Sequence, residues 1–379
     1  MIRDNLMLAE PITQNPSKFN YNDTWSIPRD RTEWYLTHDF HAYFASFPPQ
    51  LVSRLIQHHT KPNDVIFDPF MGGGSTVVEG VMANLHSIGS DISPLSKLIA
   101  QVKATPIKIK DDDVLQLLTS IKRSLSRRKP ANPEKYDRVH NIQKWFTPEN
   151  LTELDSIYNR ILSIENVKFR NFATVAFSSI LRKSSNAKNA EQHLCIKNNK
   201  NPESPFRLFS SKLELMKLQM DMFYKRCRFN HKAQLYVHDV RQISKILPGN
   251  YVDIVVTSPP YGTGSKYTNI YKLSYEWLGF KKPNSSQSME LARDFHNELS
   301  KGLLEIHHVL KPNKFCFLVY GDPSTDTGLT KKAVMDAKEI GFKHRGTISC
   351  PIKKIKSKHH VKYTQSIPKD FILILQKQN

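Results

Sequence analysis

The chain has 379 residues, enough for one large or two ordinary domains with a sizeable core. Fifty-five Lys and Arg against 35 Asp and Glu leave a formal charge of +20 while 39% of residues are hydrophobic, the balance of a folded protein suited to a polyanion. The cysteines Cys195, Cys227, Cys316 and Cys350 are scattered with no Cys-x-x-Cys pair, which excludes a disulfide scaffold and argues against a cysteine zinc cluster. The adjacent pairs His58-His59, His307-His308 and His359-His360 have a spacing that does not converge on one ion, so no metal site is expected. Apolar runs such as Phe371 to Leu375 are strand-sized, too short to cross a bilayer. Arg3, Asp4 and Glu10 interrupt the start of the chain, where a signal peptide would be apolar, so a soluble cytoplasmic protein is expected.

In chain order, Leu51 to Ile56 has helical spacing, and Lys61-Pro62-Asn63-Asp64 is a turn. Val65-Ile66-Phe67 reads as a short buried strand. A loop follows from Asp68 to Gly74, and Ser75 is the expected N-cap of a helix over Thr76–Ala83. A second strand, His86 to Ser90, ends at Asp91. This is a β-loop-α-β unit, the start of a doubly wound α/β sheet, mostly parallel. A long interruption over 106–232 carries helical patterns at Val114–Arg128, Leu151–Leu162 and Phe169–Arg182, and a polar, basic stretch at Arg182–Arg207 expected to be a mobile loop. Strand signals resume at Gln234–Val237, Val252–Thr257 and Phe315–Tyr320. The segments Gly346–Pro351 and Asp370–Leu375 read as a terminal hairpin around a basic loop. The expected organisation is an N-terminal part of one α/β domain (1–105), a large helical insertion (106–232) and the C-terminal part of that domain (233–379).

The loop Asp68-Pro69-Phe70-Met71-Gly72-Gly73-Gly74-Ser75-Thr76 joins a strand to a helix. Its glycines allow backbone to approach a ligand closely, and the helix end offers free N–H groups. Asp91, at the tip of the next strand and followed by Ile92, stands where such folds place a ribose-hydroxyl acceptor. No Lys-Ser or Lys-Thr follows the glycines, so a triphosphate cradle is not expected. The loop resembles motif I of S-adenosylmethionine-dependent methyltransferases that act on exocyclic amines, which implies S-adenosylmethionine as cofactor.

A second signal is the buried run Val252-Asp253-Ile254-Val255-Val256-Thr257 passing into Ser258-Pro259-Pro260-Tyr261. Two prolines end the strand, leaving the Pro259 carbonyl pointing away from any ladder partner and beside the Ser258 hydroxyl. Two oxygen acceptors and an aromatic face suit a planar aryl amine. Accepting both N–H bonds frees its lone pair for in-line attack on an electrophilic methyl, while Tyr261 stacks on a base taken out of the helix. The tetrapeptide resembles motif IV of amino-methyltransferases, its leading Ser being typical of the DNA cytosine-N4 group. Asp39 to Pro49 resembles the family's motif X, which implies cofactor contacts for Phe40, His41, Phe47 and Pro48. His238-Asp239-Val240 resembles the segment whose acid meets the cofactor adenine.

The resemblance implies a Rossmann-like enzyme methylating N4 of cytosine in a specific sequence of double-stranded DNA, within a restriction–modification system and with a cognate restriction endonuclease as a partner. Adenine-N6 methylation, an RNA substrate, or a cofactor-binding but inactive DNA-binding protein are the open alternatives. For DNA contact, three basic runs stand out: Arg123, Arg127, Arg128 and Lys129; Arg182, Lys183, Lys188, Lys197 and Lys200; and Lys353 to Lys362. The insertion is the candidate region for base reading. Lys266, Tyr267, Tyr271, Tyr275 and Trp277 could hold the flipped base, and Tyr271, Tyr275 and Leu278 could equally be core.

Overall fold

The computed structural model describes residues 19–26, 34–44, 46–127, 139–188, 194–197, 200–227, 232–260, 267–284, 286–289, 294–321, 328–351 and 369–379. Tyr261, Lys266, Arg128, Lys129 and the Lys353–Lys362 run lie outside them.

The first crossover is built as its sequence dictates. Helix α1 (Pro49–His59) buries Leu51, Val52, Leu55 and Ile56, the apolar stripe of its spacing, and precedes strand β1 (Val65–Asp68). Helix α2 (Ser75–Met82) returns the chain to β2 (His86–Asp91). Ser75 is not the cap: Gly74 takes that position at φ 83, and Ser75 is the first helical residue, its Oγ facing the Phe47 carbonyl at 3.5 Å. A left-handed residue is needed where the loop turns into the helix, and a glycine meets that need.

Helix α3 (Pro94–Ala104), capped by Ser93, is followed by the interruption, whose described residues are helical in five segments. These are α4 (Asp111–Leu125), α5 (Ile142–Trp145), α6 (Pro148–Leu162), α7 (Val167–Ile180) and α8 (Pro205–Arg226). The described parts of the basic stretch after α7 are fastened: Asn150 Nδ2 donates to the carbonyls of Ser184 and Glu203, and Ser204 with Pro205 starts α8. The insertion shares one apolar core with α2 and α3, in which Ile99, Ala100, Leu154, Phe172 and Phe209 are all fully buried.

Strands β3 (Gln234–Val237) and β4 (Val252–Thr257) resume the sheet. The short helices α9 (Tyr267–Ile270) and α10 (Lys272–Trp277) precede α11 (Phe295–Val309) and β5 (Leu310–Gly321). Helix α12 (Leu329–Ile340) leads into the antiparallel pair β6 (Phe342–Pro351) and β7 (Lys369–Lys377).

The seven strands run in the order β3-β2-β1-β4-β5-β7-β6. All neighbours pair in parallel except β7, which is antiparallel to β5 and to β6. The doubly wound, mostly parallel α/β sheet is thus present, with helices packed on both faces. Alternate residues of the central strands go to opposite faces: Val65, Phe67 and Val255 pack towards α11 and α12, whereas Ile66, Ile254 and Val256 pack towards α1, and a register shift between Val252 and Ile254 turns Val252 to the α11 side. The chain leaves β1 towards β2 on one side while β4 lies on the other. The loops after β1 and β4 therefore open side by side at the carboxyl edge, at the switch point where such sheets bind ligands. No helix among the described residues is long and apolar enough to cross a membrane.

Candidate active site

A cavity holding about 1050 Å3 of empty space, open mouth included, lies at that switch point. Its wall contains Pro69, Phe70, Met71, Gly72, Gly73 and Ser75 from the loop after β1, Asp91 and Ile92 from the end of β2, and Asp239 and Val240 after β3. Ser258, Pro259 and Pro260 after β4 complete the same wall. Two segments nearly two hundred residues apart therefore meet in one cavity.

The junction is made at the strand tips. Phe67 of β1 is registered against Val255 of β4, and Thr257 donates its hydroxyl proton to Asp68 Oδ1 at 2.6 Å. The same oxygen accepts the Phe70 N–H at 3.1 Å, and Thr76 donates to the Val256 carbonyl at 3.0 Å. Asp68 is 1% exposed, and burial pushes its carboxyl up to about 7 against the pull of these donors. It ties the glycine loop to the strand carrying Ser258 and does not face the cavity.

The glycine loop turns on hydrogen bonds from Met71 N to the Ser90 carbonyl at 3.0 Å and from Gly74 N to the Met71 carbonyl at 2.7 Å. Gly72 sits at φ 45, and its N–H donates to Asp91 Oδ2 at 2.9 Å, while Ser93 N donates to Oδ1 at 2.9 Å. Desolvation raises the Asp91 carboxyl to about 6, and these two donors oppose the rise. A Cβ on Gly72 would fall 2.9 Å from Cε1 of Tyr43, and one on Gly73 2.8 Å from Tyr43 Cβ. The loop is therefore bare backbone because an aromatic ring lies against it.

That ring is itself held. The Tyr43 hydroxyl shares a 2.6 Å hydrogen bond with Ser96, and its ring stacks on Tyr271 at 5.1 Å and 18°. Tyr271 OH accepts the Phe44 N–H at 2.5 Å and donates to the Ala42 carbonyl at 3.3 Å. Tyr275 and Ser93 share a 2.6 Å hydrogen bond. Tyr43, Phe44, Ser46, Phe47, Ser93, Tyr271 and Tyr275 all line the cavity. Of these only Phe47 was an expected cofactor contact. Tyr43 lies inside the Asp39–Pro49 segment, so that signal was present. Ser93 and Ser96 give no sequence signal beyond a helix start.

Of the other expected contacts, Phe40, His41, Pro48, Asp68, Gly74 and Thr76 stand behind the wall. Phe40 is buried edge-on against Phe172 at 5.6 Å. His41 Nε2 pairs with Ser178 Oγ at 2.9 Å and His41 Nδ1 lies 3.0 Å from the Ala42 carbonyl, so its ring is occupied within the core. A Cβ on Gly74 would meet Ala100 at 2.8 Å, a helix contact and not a ligand contact. Asp239 reaches the cavity but is gripped by the Arg241 guanidinium, which also binds Glu298 and donates to the Ser286 carbonyl at 2.8 Å. Trp277 is 2% exposed among Phe146, Tyr158 and Phe177 and belongs to the core, whereas Tyr271 and Tyr275 from the same stretch face the cavity.

Two residues of the second basic run bond to the backbone of their own segment. Lys200 Nζ donates to the carbonyls of Arg182, Ser185 and Ala187 at 3.2, 2.6 and 2.8 Å, and burial lowers it to about 8. Arg182 Nε donates to the Lys188 carbonyl at 2.7 Å. No group of three or more His, Cys, Asp or Glu placed to hold a metal occurs among the described residues.

Residues 3–102 match the family model described as DNA methylase. The chain is 30% identical over 294 residues to the Type II methyltransferase M.MvaI of Kocuria varians, a match covering 68% of this chain and 60% of that protein. It is 25% identical over 313 residues to the Type II methyltransferase M.BsoBI of Geobacillus stearothermophilus, covering 72% and 59%. The chain thus spans about three fifths of the length of these curated relatives. A solved structure of a TehB-like SAM-dependent methyltransferase from Corynebacterium glutamicum aligns over 86% of this chain and 87% of that one at 9% identity, with a TM-score of 0.35.

Proposed function

We propose that this chain is a DNA methyltransferase that moves the methyl group of S-adenosylmethionine to the exocyclic N4 amine of cytosine in a specific sequence. We place it as the modification enzyme of a restriction–modification system. The observation that carries the reading is the single cavity walled by the Gly72-Gly73 backbone, Asp91 and the Ser258-Pro259-Pro260 turn. The match to the DNA methylase family and the likeness to Type II methyltransferases support it.

The residues present fit the cofactor. Gly72 and Gly73 form a cradle in which a side chain has no room. Asp91, fixed by two backbone donors, keeps lone pairs for ribose hydroxyls. Ile92, Val240 and Met289 offer apolar surface for a purine, with Asp239 at its edge. When bound, S-adenosylmethionine supplies an electrophilic methyl on a sulfonium.

The rest is done by the chain. The Pro259 carbonyl and the Ser258 hydroxyl accept the two N–H bonds of the target amine, withdrawing its lone pair from the ring. Both acceptors sit on a turn stiffened by two prolines and tied through Thr257 to Asp68, so they need little reorganisation. Tyr43 and Tyr271 stack on each other and, with Phe70, wall the cavity and restrict water. The resemblance of Ser258-Pro259-Pro260-Tyr261 to the cytosine-N4 form of motif IV supports cytosine over adenine as the target.

The test is to incubate the protein with methyl-labelled S-adenosylmethionine and duplex DNA, then digest the product to nucleosides. N4-methylcytosine is expected. N6-methyladenine would move the target while keeping the chemistry, and an unlabelled product would overturn the reading.

A further inference from the structure

From the cavity outwards, one of the links between the site and the insertion is the short helix α10. On α10, Tyr271 (its cap) and Tyr275 line the cavity, while Trp277 is sunk in the insertion's core. Lys272 of the same helix lies 5.7 Å from the ring centre of Trp145 in α5, and Lys144 lies 5.7 Å from the same centre. Lys144 and Lys272 thus both place an ammonium group within cation–π range of the Trp145 ring, and the Glu276 carboxylate lies 3.8 Å from Lys272.

The backbone beside Trp145 carries more of the same charge. Asn186 N donates to the Trp145 carbonyl at 2.7 Å, and Asn186 Nδ2 to the Lys144 carbonyl at 3.2 Å. Ala187 pairs antiparallel with Ile196, with Lys188 N on the Cys195 carbonyl at 2.8 Å and Lys197 N on the Asn186 carbonyl at 2.9 Å. Lys200 knots the base of this ribbon through its three carbonyls. Lys144, Lys183, Lys188 and Lys197 all remain exposed around it. Lys272 shares Glu276 with Lys282, at 3.8 and 3.6 Å, so part of its charge is already answered.

We infer that the ribbon around Ala187 and Ile196, together with α5, is the surface that grips the phosphate backbone of duplex DNA, with Lys144, Lys183, Lys188 and Lys197 as its contacts. This rests on the DNA methyltransferase reading and gives that reading its docking face. A lysine spent on tying a ribbon makes sense if the lysines it carries must be held ready, since a pre-ordered segment gives up less entropy on binding. The fastening to Trp145 and, through Lys272, to α10 puts the face one short helix away from the tyrosines that line the cavity.

The experiment measures the affinity of the whole protein for a fluorescent duplex of arbitrary sequence between about 50 and about 200 mM salt. The parent is compared with a variant carrying Lys144→Gln, Lys183→Gln, Lys188→Gln and Lys197→Gln. Each lost phosphate contact removes roughly 0.9 from the slope of log affinity on log salt, so a drop of about 2 to 4 is expected. The fourfold Lys→Arg variant should keep the parent slope, as should Lys331→Gln with Lys332→Gln on exposed α12. A Gln variant with the parent slope overturns the inference, as does an equal drop in the α12 control or tighter binding to single-stranded RNA than to the duplex. Labelled methyl transfer by the parent separates the two claims. An active parent with an unmoved slope sinks only the docking face, and an inactive parent whose slope still drops keeps the face and sinks the chemistry.

Discussion

Gly72→Ala tests the cofactor cradle at its tightest point. The new Cβ would stand 2.9 Å from Tyr43 Cε1 and 3.2 Å from Cδ1, well inside the 3.5–4.0 Å of an ordinary carbon contact. Alanine at φ 45 adds a left-handed penalty of roughly 1 kcal/mol. Relieving the overlap means moving a ring held by Ser96 at 2.6 Å and stacked on Tyr271. Losing that hydrogen bond costs about 1 kcal/mol, and the lost stacking up to about 1 more. Tyr43 lines the cavity, so a ring displaced into it must be pushed back before the ligand binds, at a cost of about 2–3 kcal/mol. At 1.4 kcal/mol per tenfold, S-adenosylmethionine should bind about 30- to 150-fold more weakly by isothermal calorimetry. In a Tyr43→Ala background the same change should cost only the backbone part, roughly fivefold, because the ring it meets is gone. Equal losses in both backgrounds, or an unchanged affinity of the single variant, would refute the packing argument.

Other expectations follow from the same geometry. Asp91, raised to about 6, should lose its charge as pH falls through that value, so cofactor affinity should drop about tenfold per unit below it. Asp91→Asn should bind weakly with a flat profile, and a flat parent profile would remove the carboxylate from binding. Asp68 is raised to about 7, so the folded state holds a proton that the unfolded chain releases near 4. This group therefore favours folding as pH falls from 7 towards 4, and Asp68→Asn should remove that contribution from the dependence of Tm on pH. Asp68→Ala should lower turnover more than Asp68→Asn does, with cofactor affinity within about threefold, because the amide oxygen can still accept from Thr257. Ser258→Ala should cut turnover by about a hundredfold or more while cofactor binding stays near normal. A fully active variant would take Ser258 out of the mechanism.

What the sequence shows of this fold, it shows where packing is one-dimensional. The runs Val65–Asp68 and Val252–Thr257 are buried along their whole length and mostly apolar because both faces of a central parallel strand are covered, and such runs are hard to read otherwise. The glycine loop and the double proline are equally plain, since each imposes a backbone shape by its own chemistry. Helix α8 announces itself through Ser204-Pro205, yet its position in a polar basic stretch masks that signal. Helix α11 leaves a fainter trace, carried by the spacing of Leu299, Leu303 and Ile306. Tertiary partners are where the reading runs out. Tyr43 and Tyr271 are over two hundred residues apart, and no local pattern says that they stack. Lys200 looks like any other lysine of its run, and only its three carbonyl partners reveal that it holds the ribbon together. His41 fits a cofactor segment by position, but a serine on α7 claims its ring.

The most direct measurement is a crystal structure of this chain with S-adenosylhomocysteine. The amino-acid end should lie against Gly72 and Gly73, the ribose hydroxyls at Asp91, and the sulfur should face the Ser258-Pro259-Pro260 turn. A ligand seated outside this cavity, or a sulfur turned away from that turn, would contradict the account.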